Sequence, residues 1–232
     1  MQREIVQPDP VPWTIRDVWL GVGALALWMA VSFGLALLVP LTKLEVNPGL
    51  YVGLAELLLL VPVWWLTVQK YEVGWEALGL RGFRGVMLGL GCGLMILAFS
   101  FNLVYGTFLA LFDLRAQVDL VPIFAELSSP WWLLAAGIII APVVEELFFR
   151  GFVFAGLRGR YGWLKAALVS SALFAVIHLQ PLAIPPVFIM GTIFAILYQW
   201  SGSIWPAILM HVATNALGLG AAYLAAEMGL SI

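Results

Sequence analysis

The chain has one cysteine, two histidines and only 10% charged residues in 232. Each scarcity excludes something. A lone Cys92 excludes an internal disulfide and any cysteine-built zinc cluster, and its apolar neighbours read it as a small buried hydrophobe. A soluble domain carries about 25% charged and about 45–50% apolar residues. At 63% hydrophobic residues and a mean hydropathy of +1.02, this chain is a multi-span membrane protein. The net charge of −2, with no basic tail and no run of like charges, excludes a nucleic-acid partner. Short alternating apolar segments are lacking, which excludes a β-barrel. Tandem repeats and low-complexity segments are lacking too. No cysteine stands near Gly229-Leu230-Ser231-Ile232, so no prenylation signal is read there.

What is present is a series of apolar runs. A helix crosses the hydrocarbon core in about 20 residues. The runs predict helices near residues 18–40, 50–69, 85–112, 131–157, 162–179, 183–200 and 203–218, with a short eighth near 219–230. The expected fold is therefore an all-α polytopic bundle of about seven to eight spans, in one domain covering 1–232, with its site between helices in the membrane. Met1 to Trp13, with Pro8, Pro10 and Pro12, reads as a short extended arm. The run that follows reaches about Pro40, too long for a cleaved signal core, and reads as the first span. Residues 69–84 read as a loop with a short surface helix, and 113–130 as a segment along the interface. Trp64-Trp65 and Trp131-Trp132 fit interfacial belts. Lys and Arg side the chain. With the N-terminus inside, Arg3, Arg16, Lys70, Arg81, Arg84, Arg158, Arg160 and Lys165 are cytoplasmic, and only Lys43 and Arg115 lie opposite.

Ionisable residues at membrane depth are costly and point to function. Both histidines, His178 and His211, lie in apolar stretches, and a third such stretch holds Glu145, Glu146 and Arg150. Glu146 and Arg150, four apart, share a helix face in the favourable acid-first order. Glu145 points about 100° away and is the better general base, since apolar surroundings raise a carboxyl towards a useful range. Pro142, one turn earlier, bends the helix and opens room for water. Phe174 and His178 share a face, with the histidine close to a helix end at Leu179-Gln180-Pro181. His211 and Asn215 share another, and Asn215 either holds an imidazole nitrogen or binds an oxyanion. Glu56, near the start of the second span, reads as an interfacial or helix-pairing residue outside this set. A purely structural reading of the polar groups, as glue between helices, competes with the catalytic one.

Three motifs in order, Glu145-Glu146-xxx-Arg150, Phe174-xxx-His178 and His211-xxx-Asn215, make the chain resemble the CPBP family, also called the ABI or type II CAAX prenyl protease family. The context Ala141 to Gly151 resembles the family's first motif, and the Leu78-Gly79-Leu80-Arg81 turn a feature of its bacterial members. The similarity covers roughly Trp131 to Leu219, while spans 18–112 match in hydropathy alone. The resemblance implies an intramembrane endopeptidase in which Glu145 activates water and His178, His211 and Asn215 complete the site, with Glu146, Arg150 and Phe174 in support. It implies a membrane-protein or lipid-modified peptide substrate. The compact length and the lack of organelle signals place the chain in a bacterial cytoplasmic membrane.

Two chemistries fit this set. Glu145, His178 and His211 form a three-ligand zinc site with a place for water, though no H-E-x-x-H helix is present. Alternatively Glu145 works without metal or other cofactor, and the polar groups steady the oxyanion. Outside catalysis, the chain reads as a membrane immunity or partner protein. A transporter or proton relay would show matching halves with broken helices, which are lacking.

Overall fold

The computed structural model describes residues 9–42 and 46–230. The arm before Asp9, with Arg3 and Pro8, the loop residue Lys43, and Ser231-Ile232 lie outside the described residues. Among those described there is no strand. In chain order the helices are α1 (Ile15–Leu38), α2 (Pro48–Gln69), α3 (Val86–Ala110), the short α4 (Val121–Glu126), α5 (Trp131–Tyr161), α6 (Trp163–Val176), α7 (Pro181–Ser201) and α8 (Trp205–Glu227). Six of them are long and apolar enough to cross a membrane, and α6, at 14 residues, is shorter. The polar stretch after α2 holds one tight turn of helix, Trp75–Leu78, and α4 lies in the expected 113–130 segment.

Three expectations are corrected. The apolar tail at 219–230 is no eighth helix; it continues α8 to Glu227. Gly218 and Gly220 weaken a helix in water, but a lipid-facing backbone has no other hydrogen-bond partner, so helix continues. The fifth helix stops at Val176 rather than 179, as Leu179 adopts a left-handed φ of 54° ahead of Pro181. Cys92 is exposed, not buried. The inward face of α3 carries Gly91, Met95 and Ala98, and Cys92 is turned about 100° from Gly91.

The described chain divides into two compact units, each assembled from separated stretches. One unit takes the described residues before Pro12, Gly74–Val118 and Phe149–His211. Its core packs Met95 and Ala98 of α3 against Ile193, Phe194 and Leu197 of α7 and Ala207 of α8. The Leu78-Gly79-Leu80-Arg81 turn is docked in this unit. Gly79 has φ 93°, and a Cβ there would lie 2.6 Å from the Tyr198 ring, so only glycine fits. The Gly79 carbonyl accepts from the Ile204 N–H (2.8 Å), and the Arg81 carbonyl from the Ser203 hydroxyl (2.6 Å). Arg81 also donates to the Asp9 carboxylate (2.6 Å), and Arg158 donates to the Asp9 carbonyl. The turn thereby fixes the start of α8, the helix of His211.

The other unit holds the described residues of Pro12–Val73, Asp119–Phe148 and Val212–Ile232. Thr14 and Asp17 cap α1 reciprocally, and the buried Asp17 carboxylate also accepts from Lys70 (2.5 Å) and Tyr71 (2.6 Å) at the end of α2. Gly49 and Gly53 lie where α2 meets α5: a Cβ at Gly49 would strike the Leu133 backbone, and one at Gly53 would touch Ala136. Val121 and Phe124 of α4 pack on Ala222 and Ala225 of α8.

Candidate active site

The acids sit on an irregular helix. Within α5 the turns at Ala136–Ile140 and again at Leu147–Phe154 are wide, with hydrogen bonds spanning five residues instead of four. Pro142 supplies a physical reason for an open carbonyl here. In a wide turn the Gly137 carbonyl would accept from residue 142, and proline has no N–H to give. Asn215 of α8 fills that vacancy: its amide donates to the Gly137 oxygen at 2.7 Å. A carbonyl only accepts, so the amide nitrogen must face it, and one N–H of Nδ2 remains for another partner. A Cβ at Gly137 would lie 2.5 Å from the terminal methyl of Leu219, one turn beyond Asn215, so the two helices approach closely here. Just past Pro142, Glu145 is half-buried and Glu146 is fully buried. The two adjacent acids thus differ in exposure.

The histidines sit in an aromatic shell. Arg150, fully buried, donates from Nη2 to the Gly191 carbonyl at 3.1 Å. Its guanidinium lies 4.4 Å from the Phe174 ring centre, 5.3 Å from that of Phe194 and 6.0 Å from that of Phe149. Cation–π attraction in a dry setting reaches about 2 kcal/mol, which offsets part of the cost of a buried charge. Phe174 meets both imidazoles edge-to-face, at 4.9 Å from His178 and 5.7 Å from His211. Phe194 stacks on His211 at 4.9 Å with 22° between the planes. His178 lies just past the end of α6, and its Nδ1 is 2.7 Å from the Phe174 carbonyl. That oxygen can only accept, so Nδ1 carries a proton, and in the neutral form of the ring the lone pair lies on Nε2. Leu179 follows with a left-handed backbone, strained for a bulky side chain and costing about 1–2 kcal/mol.

The structure thus brings Arg150, Phe174, His178 and His211 together in one unit, and Asn215 with the turn that precedes Glu145 and Glu146 in the other. Gly191 and Phe194 of α7 and Gly137 of α5 were missed by sequence reading. A lone glycine or phenylalanine in an apolar helix carries no local sign of its contacts. Among the described residues, no group of three or more His, Cys, Asp or Glu side chains is placed to hold a metal ion.

These features define a polytopic helical membrane protein whose one unit holds a buried arginine and two imidazoles on a shared ring, and whose other unit holds an acid-bearing, proline-interrupted helix. Residues 127–217, which carry all three motifs, match the family model of the Rce1-like type II CAAX prenyl endopeptidases. Among curated proteins, the chain is 35% identical over 156 residues to the membrane-embedded CAAX protease MroQ of Staphylococcus aureus, covering 63% of this chain and 57% of that one. It is 33% identical over 113 residues to an uncharacterized 24.3 kDa protein of Escherichia coli, covering 46% of this chain and 52% of that one. The chain thus spans just over half the length of each of these relatives. No solved structure matches it.

Proposed function

We propose that the protein is a membrane endopeptidase that hydrolyses peptide bonds in membrane-associated or lipid-modified substrates. The observation that carries this reading is the convergence of the chain's only two histidines on the Phe174 ring, inside the segment that matches the Rce1-like family. In the reaction Glu145 takes a proton from water. The oxygen attacks the scissile carbonyl carbon, the oxyanion forms, and the proton passes to the leaving amine as the C–N bond breaks. The neutral His178, with its lone pair on Nε2, accepts a hydrogen bond from the attacking water and orients it. His211 and the second N–H of Asn215 serve the oxyanion. Glu146 and Arg150 support the framework.

The half-buried state of Glu145 beside the enclosed Glu146 supports the choice of base. Substrate enters sideways from the bilayer, the natural route for a prenylated or helical peptide. We place the N-terminus in the cytoplasm of a bacterial cell. The Lys/Arg bias supports this, and so does the meeting of Asp9, Arg81 and Arg158 within one unit.

The test compares peptide termini in membranes of cells holding equal amounts of wild type or Glu145→Ala. Removing a general base costs about 10²–10⁴-fold, so new termini should appear with wild type alone, and they would name the bond. Termini that survive in Glu145→Ala would refute the glutamate mechanism. An immunity phenotype that survives with no termini in either strain would point to a binding role.

A further inference from the structure

We propose that α7, which carries none of the three motifs, sets the orientation of both imidazoles through two positioning residues, Gly191 and Phe194. The kinetic consequence rests on the peptidase reading above; the ring geometry does not. Gly191 and Phe194 are three apart and share one buried face of α7. Side chains from two other helices converge on Gly191. A Cβ added there would lie 3.0 Å from Arg150 Nη2 and 3.1 Å from both Phe174 Cδ1 and Ser171 Cβ. Ordinary carbon contacts need about 3.5–4.0 Å. A methyl group would therefore have to push all three neighbours back by a few tenths of an ångström.

None has room to yield. Arg150 is tied to the Gly191 carbonyl itself and held among three rings. Phe174 is 2% exposed and wedged against Phe149 at 5.3 Å. Ser171 is fully buried. Displacing Arg150 and Phe174 carries the imidazoles with them, because Phe174 touches both. Phe194 acts more directly, since its face is the surface on which His211 lies. The hydrogen at Gly191 and the ring at Phe194 thus decide where the histidines point, although neither residue has chemistry of its own.

The chain has two histidines, so selective ¹³Cε1-histidine labelling in detergent gives two resonances, assigned with His211→Gln. Gly191→Ala should shift both. Phe194→Leu should remove the upfield ring-current displacement of His211, and Phe194→Tyr should restore it. Gly93→Ala on α3, where an added Cβ meets nothing within 4 Å, should shift neither. With an internally quenched peptide ending in a farnesylated CAAX sequence as probe, kcat should fall by up to about tenfold in Gly191→Ala with KM unchanged, since a shift of less than about 1 Å carries only part of the roughly hundredfold cost of 1 Å of misplacement. If both resonances stay in place in Gly191→Ala and Phe194→Leu, the proposal is wrong, whatever the activity does. Should Gly191→Ala fail to fold, the Phe194→Leu and Phe194→Tyr pair decides by itself. Shifts as expected in a protein that cleaves nothing would uphold the positioning role and sink the peptidase reading.

Discussion

In the unit that carries the histidines, side chains are fixed by rings packed around a buried cation. In the unit that carries the acids, the helix departs from regular geometry and one side-chain amide repairs the break. The first arrangement is tight and dry: Arg150 and Phe174 are 0% and 2% exposed. The second is more open, with Glu145 and Asn215 both half-buried. The difference matches the tasks we assign. Imidazoles that orient water and bind an oxyanion need fixed directions. A general base needs water to reach it.

The comparison breaks most visibly at Arg150. Arg150→Met removes the ring-held cation and its bond to Gly191, at an expected loss of about 3.5 kcal/mol, from about 2 for the cation–π contact and about 1.5 for the charged hydrogen bond. Arg150→Lys should recover less than half, because a compact ammonium cannot lie flat among rings. Denaturation of purified protein in mild detergent checks both. Full stability of Arg150→Met would show that the shell does not depend on its cation.

The repaired break in α5 is the next test. Asn215→Ala leaves the Gly137 carbonyl without its donor, at about 1–3 kcal/mol. Pro142→Ala gives the backbone back an N–H in the same turn, so the double variant should lose less than the sum of the singles. Strict additivity in a double-mutant cycle would mean that Asn215 does not stand in for the proline's missing N–H.

The smallest effect is a gain. Leu179 holds φ at 54° while 71% exposed, so Leu179→Gly removes strain and sacrifices little packing. Stability should rise by about 1 kcal/mol. Since Leu179 directly follows His178, activity should not rise with it. A fall in stability would show that the leucine side chain, rather than the turn, holds this corner.

Much of the candidate site was legible because its residues break a local pattern. Glu145, Glu146, Arg150, His178 and His211 are polar exceptions in apolar runs, and their spacing assigns faces. The place of His178 near a helix end could be read from Leu179-Gln180-Pro181. Other readings failed where the outcome depends on distant neighbours. Cys92 looks buried from its apolar surroundings, yet the inward face of α3 was chosen by α7 and α8. The stretches 203–218 and 219–230 read as two helices, yet one helix runs to Glu227. Asn215 was expected to serve an imidazole or an oxyanion, and one of its N–H groups serves Gly137.

By itself the sequence determined the solvent the chain lives in, the approximate number and rough length of its apolar helices, and the three stretches in which polar residues interrupt the apolar pattern. Each of these follows from composition and periodicity along a single segment, where transfer free energy and helical geometry act locally. Only the tertiary structure decided which carbonyl the proline leaves open, which rings surround Arg150, and that Gly191 and Phe194 on a helix without motifs bear on both histidines. Those outcomes rest on close packing between segments far apart in the chain. Contacts of a few ångströms select one arrangement there, and a single sequence does not state which surfaces will meet.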